Sequence, residues 1–256
     1  TRLWDLTRDG RMISFWEYGE GSGKGHARSF LRSTSGAPPV RLERGSRAGA
    51  TFSPDGKSAV MMLRDSEVLK AVIYPTDEGQ PREVPVPGFT EARLGLLPDG
   101  AGMWIYAFSP DRPRRVWVTG ADGTNPRPVT PEGVEGRHPW ISWDGRAVVG
   151  LSAGTYRLYP VSAGDAIPLA GVKDGEDLAG WADGGTSVYA YDPMQLPPTL
   201  TRVQWATGAR VEVGRISPPD LAGVHQMYVL VTPDGRDLAY MIFEDLRVLY
   251  VVEGLR

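Results

Sequence analysis

The chain of 256 residues contains no cysteine, which excludes disulfides, thiol catalysis and cysteine-ligated metals and leaves the compartment open. No apolar run approaches the roughly 18 residues of a membrane span, and no signal peptide is evident, so membrane insertion by this segment is not expected. A large excess of charge of one sign is missing as well. The formal net charge is −3 and the pI near 5.7, which leaves no electrostatic footprint for nucleic acid or an anionic membrane. The three histidines, His26, His138 and His225, are isolated and form no His-Glu-x-x-His pattern, so no metal site is expected.

What the chain does have is turn residues, 32 Gly and 22 Pro, scattered between short apolar stretches. That distribution suits many short strands rather than a low-complexity tract. Asp-Gly dipeptides recur at Asp9-Gly10, Asp55-Gly56, Asp99-Gly100, Asp144-Gly145, Asp183-Gly184 and Asp234-Gly235, in steps of 46, 44, 45, 39 and 51 residues. A period of about 40–50 residues is the mark of a repeat architecture. Asp-Gly between apolar runs predicts a tight hairpin, with Gly supplying the positive φ of a primed turn.

The third repeat reads as strands at Ala92–Leu97, Met103–Phe108, Arg115–Thr119 and Arg127–Thr130. The second, fourth and fifth repeats follow the same order, each with a second Gly-containing turn after its third strand. Four antiparallel strands per unit make a propeller blade. The expected fold is an all-β, six-bladed β-propeller of four-stranded antiparallel blades in one domain, with blades at 1–44, 45–88, 89–132, 133–172, 173–216 and 217–256. Near-continuous apolar second strands such as Ala59–Leu63 fit blades sandwiched on both faces. Trp104, Trp117, Trp140, Trp143, Trp181 and Trp205 are expected to pack between blades.

The sixth repeat shows three strands, Tyr228–Val231, Leu238–Phe243 and Val248–Val252, and no fourth. An open edge invites pairing, so a strand from upstream, a three-stranded blade or pairing between copies would have to complete it. The chain opens on Thr1, so it is expected to be a piece of a larger protein whose upstream residues supply that strand.

Catalytic patterns fail on context. Gly150-Leu-Ser-Ala-Gly154 matches the G-x-S-x-G elbow as text, but Ser152 lies between two predicted strands, not at a strand-to-helix turn. Gly21–Gly25 lacks the first Gly and the final Ser or Thr of a phosphate loop. Asp122-Gly-Thr-Asn125 lacks the alternating ligands of a calcium loop. The predicted inner strands are mostly apolar, which argues against a channel filled with metal ligands. No catalytic residue and no cofactor are therefore expected.

Loops on a rigid scaffold concentrate binding residues. The connections entering each inner strand, with those between the second and third strands, should form one face around the channel mouth. Arg47, Glu91, Arg93, Arg137, His138, Tyr191 and His225 are the candidate binding residues there, for an unidentified protein or small ligand. The Asp-Gly turns should occupy the opposite face.

With the repeats placed, Phe52-Ser-Pro-Asp-Gly-Lys57 and Val231-Thr-Pro-Asp-Gly-Arg236 resemble the core of WD40-like PD40 repeats, those of the TolB propeller. Leu6-Thr-Arg-Asp-Gly-Arg11, Leu31-Arg-Ser-Thr34, Val129-Thr-Pro-Glu-Gly-Val134 and Tyr250–Arg256 also look like the C-terminal propeller region of large bacterial serine/threonine kinases of acidobacteria-like lineages. The resemblance implies a module for protein contact or ligand sensing, with no catalytic residue to carry over. Two readings from other classes stand beside it: a channel-site enzyme of lactonase or lyase type, and a propeller that self-associates through its open last blade.

Overall fold

A computed structural model describes residues 1–18, 27–42, 49–63, 68–89, 91–98, 100–109 and 112–244. Five consecutive four-stranded antiparallel meanders arise in chain order. The first comprises Arg2–Leu6, Met12–Tyr18, Ala27–Ser33 and Val40–Arg41. The second comprises Thr51–Phe52, Ser58–Leu63, Lys70–Pro75 and Arg82–Pro85. The third is built from Ala92–Leu96, Gly102–Ser109, Arg112–Gly120 and Arg127–Pro128. Glu135–Ile141, Ala147–Ser152, Thr155–Pro160 and Ile167–Pro168 form the fourth. Asp177–Ala182, Ser187–Tyr191, Thr199–Gln204 and Ala209–Arg215 form the fifth. These are propeller blades.

The expectation of six four-stranded blades is met by five. The sixth sheet has two strands among the described residues, Val224–Val231 and Leu238–Glu244, and the expected strand Val248–Val252 lies outside them. That sheet lies between the fifth and the first. The Val229 N–H donates to Tyr191 Oη of the fifth blade at 3.0 Å, and Arg2 of the first blade lies 5.7 Å from the Phe243 ring centroid.

Packing follows from blades that are apolar on both faces. Each of five core clusters joins two sequential sheets, as where Val60 and Ile73 of the second blade meet Leu94 and Ile105 of the third. Hydrogen bonds stitch the same seams. Ser14 Oγ donates to the Ala50 carbonyl at 2.5 Å, and Trp181 Nε1 donates to the Ile141 carbonyl at 2.8 Å. Trp181 is thus an inter-blade anchor, as expected.

The Asp-Gly turns depart from the expected primed geometry. Gly10, Gly56, Gly145 and Gly235 take φ of 71–73°, whereas the preceding Asp in each keeps a negative φ. A type I turn followed by a left-handed Gly fits these four-residue loops, because one positive φ suffices. The sequence explains the choice. Thr7, Ser53, Ser142 and Thr232 donate their hydroxyls to Asp9, Asp55, Asp144 and Asp234 at 2.6–2.8 Å. The same carboxylates accept the backbone N–H two residues on at 3.0–3.1 Å. The hydroxyls of Thr7 and Ser53 hold Asp9 and Asp55 below the usual carboxylate range. In the fifth blade Ala182 replaces the hydroxyl residue, and Asp183–Gly185 forms a short 3₁₀ turn with Asp183 itself at φ 51°. The primed turn occurs elsewhere, at Ala153-Gly154 with φ of 48° and 76°.

Candidate functional site: the axial channel

Three inner strands begin earlier than the apolar pattern indicates. Glu135–Ile141 and Asp177–Ala182 start with polar residues, and Val224–Val231 carries His225 and Gln226 next to its first residue. Arg137, His138 and His225, expected in entering loops, are therefore strand residues, and Arg93 lies in Ala92–Leu96, which starts where the sequence reading starts it. Bulges re-aim side chains in these strands. Register shifts fall between Leu3 and Asp5 of the first blade's inner strand, between Gly136 and Ile141, between Leu178 and Gly180, and between Val224 and Gln226. Trp140, inside the second of these, takes φ 51°.

At the loop end, the Arg93 guanidinium lies 5.0 Å from the Trp4 ring centroid and 5.7 Å from that of Trp140. Such cation–π contacts hold a cation in place without neutralising it. Burial lowers the Arg93 pKa, with Arg137 and Arg114 adding like-charge repulsion. Arg114 and Arg137 both pair with Glu135, at 3.2 and 2.7 Å. Glu135 thus serves two guanidiniums, and Arg137 Nε is buried with no hydrogen-bond partner among the described residues. Burial pushes the Tyr228 phenol well above its ordinary value, and its hydroxyl donates to the Trp4 carbonyl at 3.5 Å.

Midway along the channel, His138 Nε2 of the fourth blade stands 3.8 Å from Asp5 Oδ1 of the first. The Asp5 carboxylate accepts the Leu6 and Phe52 N–H groups at 2.9 and 2.8 Å, so it ties the first blade to the second. His138 Nδ1 is buried with no hydrogen-bond partner among the described residues.

At the turn end lies an open-mouthed cavity. Its rim is made by Asp-Gly turn residues, among them Arg8, Pro54, Trp143 and Pro233, and its walls include Trp104, Trp140 and Trp181. Trp104 and Trp140 stack at 5.1 Å with 16° between their planes. Arg8 crosses from the first blade to the fourth, its guanidinium 4.1 Å from the Trp143 ring centroid and 3.4 Å from the Trp143 carbonyl. Burial lowers its pKa, against the pull of Asp5.

Of the candidate residues, Arg93 and Arg137 come together at the loop mouth, with His138 below them. Arg47 lies outside the described residues. Glu91 is partly buried, one residue before the third inner strand. His225 is exposed on the sixth sheet, its ring centroid 6.4 Å from that of Phe243. Tyr191 is the clear departure. It is 1% exposed and its hydroxyl is taken up by the Val229 N–H, so it is a seam residue and not a loop-face one. Burial also raises its phenol pKa. The expected Gly21–Gly25 loop lies outside the described residues. Ser152 sits at a strand-to-strand hairpin, and Asp122 Oδ1 accepts the Thr124 N–H and hydroxyl in a local turn.

Asp5, Arg8, Trp4 and Tyr228 were not anticipated. The apolar pattern marks Tyr228 only as the start of a strand, and Trp140 only as packing. The one sequence signal for Trp4, Asp5 and Tyr228 is an aromatic or charged residue inside an inner strand, and Arg8, in an Asp-Gly turn, carries none. Nor was the cavity foreseen, since it opens among the turns, on the face expected to be scaffold.

No known protein family and no curated protein matches the chain in sequence. In fold it resembles a putative TolB from Agrobacterium tumefaciens, with a TM-score of 0.63 over 95% of this chain and 90% of that one at 15% identity. TolB from Acinetobacter baumannii matches with a TM-score of 0.61 at 14% identity over 84% of this chain and 54% of that one, so the chain spans about half its length. The β-propeller domain of the Trilobed protease from Pyrococcus furiosus, described as having an open velcro topology, gives 0.54 at 13% identity over 96% of this chain and 84% of that one. At such identities the likeness is one of fold: a β-propeller like those of TolB and of a protease.

Proposed function

We propose that this propeller is a non-catalytic binding module that captures an acidic protein segment at the loop-side mouth of its channel. The observation that carries this reading is the cluster of Arg93, Arg114 and Arg137 around Glu135, with Arg93 wedged between two indoles. Excess guanidinium held rigid at a channel mouth is preorganised for carboxylates, since the ordering cost is met on folding. Support for a non-catalytic role comes from the residues themselves. Among the described residues no three His, Asp or Glu side chains converge, and Ser152 lacks an elbow. We read the two-stranded sixth sheet as the sixth blade, because it lies between the fifth and the first. We place the module at the sensing end of a bacterial receptor-like kinase, on the sequence resemblance of the segments around Leu6, Leu31 and Val129 alone.

Binding of fluorescent 12-residue peptides, graded from Glu-rich to Lys-rich, tests the site. The acidic members should bind the wild type and lose at least tenfold in affinity to Arg93→Gln/Arg137→Gln, at unchanged melting temperature. Equal binding across the charge series, or an unaffected double variant, would overturn the reading.

A further inference from the structure

We propose that the acidic segment captured at the loop-side mouth carries a basic residue beside its acid, and that this residue pairs with Asp177 of the fifth blade. The inference rests on the reading of that mouth given above and adds the sign pattern of the partner. Strand register brings the groups to one end of three consecutive blades. Arg93 is the second residue of its inner strand, and Glu135 and Asp177 are the first residues of theirs, paired across to Tyr106, Leu151 and Tyr191. Beyond burial, which acts most strongly, the charges that act on the Tyr156 phenol include Asp177 and Arg137, and those on Tyr228 include Asp177 and Arg93. Carboxylate and guanidiniums therefore border the same mouth.

Asp177 differs from the carboxylates near it in having no cation of its own. Arg114 and Arg137 hold Glu135, and Arg210 holds Glu176 at 2.6 Å. Asp177 is half-buried and accepts one hydrogen bond, from the neutral Tyr156 hydroxyl at 3.2 Å, and it makes no ion pair among the described residues. An ionised carboxylate has about four lone-pair sites, so most of its acceptor capacity is unused. Arg93 is the converse, a guanidinium held by two indoles with no ion pair among the described residues. The mouth thus carries an unmatched charge of each sign, on the third and fifth blades. A purely acidic segment satisfies Arg93 and Arg137 but sets its own carboxylates near Asp177, where like charges weaken binding. A segment with a Lys or Arg next to its acid meets both charges at once.

The fluorescent peptides of the charge series test this, with the Glu-rich member as parent. In each derivative one Glu is replaced by Lys, stepwise along the peptide. Each Lys peptide is compared with its Nε-acetyl-lysine counterpart, which keeps the stem and loses the charge. At one or more positions Lys should bind at least threefold tighter than acetyl-lysine. Asp177→Asn keeps an acceptor for the Tyr156 hydroxyl. It should abolish that gain at an unchanged melting temperature and bind the parent at least as tightly as the wild type does. The acetyl-lysine comparison is made on the wild type, so it decides the matter even where Asp177→Asn fails to fold. If the parent binds but no position shows a gain, or if the gain survives Asp177→Asn, the inference is overturned and the acidic-segment reading stands. A parent that binds no better than the Lys-rich member overturns both.

Discussion

Replacing Tyr191 by Phe removes one oxygen atom from the seam between the fifth blade and the sixth sheet and leaves the ring in place. In the native protein that oxygen accepts the Val229 N–H at 3.0 Å, and Val229 is 0% exposed. Neighbouring Met227 and Val231 are buried, so water has no ready route to the orphaned N–H. An unsatisfied buried donor costs about 1–3 kcal/mol, and the missing oxygen opens too little space to add a sizeable cavity term. For a chain of this size that loss corresponds to a drop in melting temperature of roughly 2–12 °C. Thermal unfolding followed by circular dichroism measures it, with Tyr191→Leu as a control that should lose more by also shrinking the side chain. The reasoning fails if Tyr191→Phe melts with the wild type. It fails equally if the variant loses peptide capture at full stability, for Tyr191 would then be a contact residue and not a seam residue.

Two further outcomes follow from the turns and the buried phenols. Gly56→Ala and Gly145→Ala place an alanine at nearly the same positive φ, 72° and 73°, a strain of roughly 1–2 kcal/mol in each. A Cβ at Gly56 meets only the Thr7 side chain at 3.7 Å, whereas one at Gly145 collides with the Pro98 ring, so Gly145→Ala should lose about 1–3 kcal/mol more in urea unfolding. Equal losses would show that Pro98 yields freely. The phenols of Tyr156, Tyr191 and Tyr228 are all raised, first by burial and then by nearby acidic groups. A raised phenol stabilises the fold fully below the unfolded value near pH ~10, and that contribution is lost as pH rises through the folded values. Absorbance at ~295 nm should therefore show these three ionising late, together with alkaline unfolding; early, reversible titration of all tyrosines would contradict their burial.

Much of the fold is legible in the chain because blades are built from local pairings. Second strands are the plainest case: burial on both faces leaves an unbroken apolar run, as at Ala59–Leu63 within the observed Ser58–Leu63. Inner strands were the weak point. Glu135, Arg137 and His138 read as loop because they are polar, yet they extend a strand whose exposed side is the channel. The site suffered for the same reason. Arg93 is legible as a charged residue near a mouth, but its indole partners Trp4 and Trp140 come from the first and fourth blades. Nothing in the spacing of Tyr191 distinguished a phenol that binds from one that seals a seam.

What the sequence by itself determined is the hairpin of each blade, because the parts lie within a few residues of one another. In four of the Asp-Gly turns a Ser or Thr two residues before the Asp closes the loop wherever the chain goes next. Only the tertiary structure decided what fills the axis. Arg8 reaches Trp143 across 135 residues of chain, and Asp5 meets His138 in the same way, because the first and fourth blades stand on either side of the channel. Those contacts depend on how the blades arrange around the axis, a global quantity to which each seam contributes and which no single repeat contains.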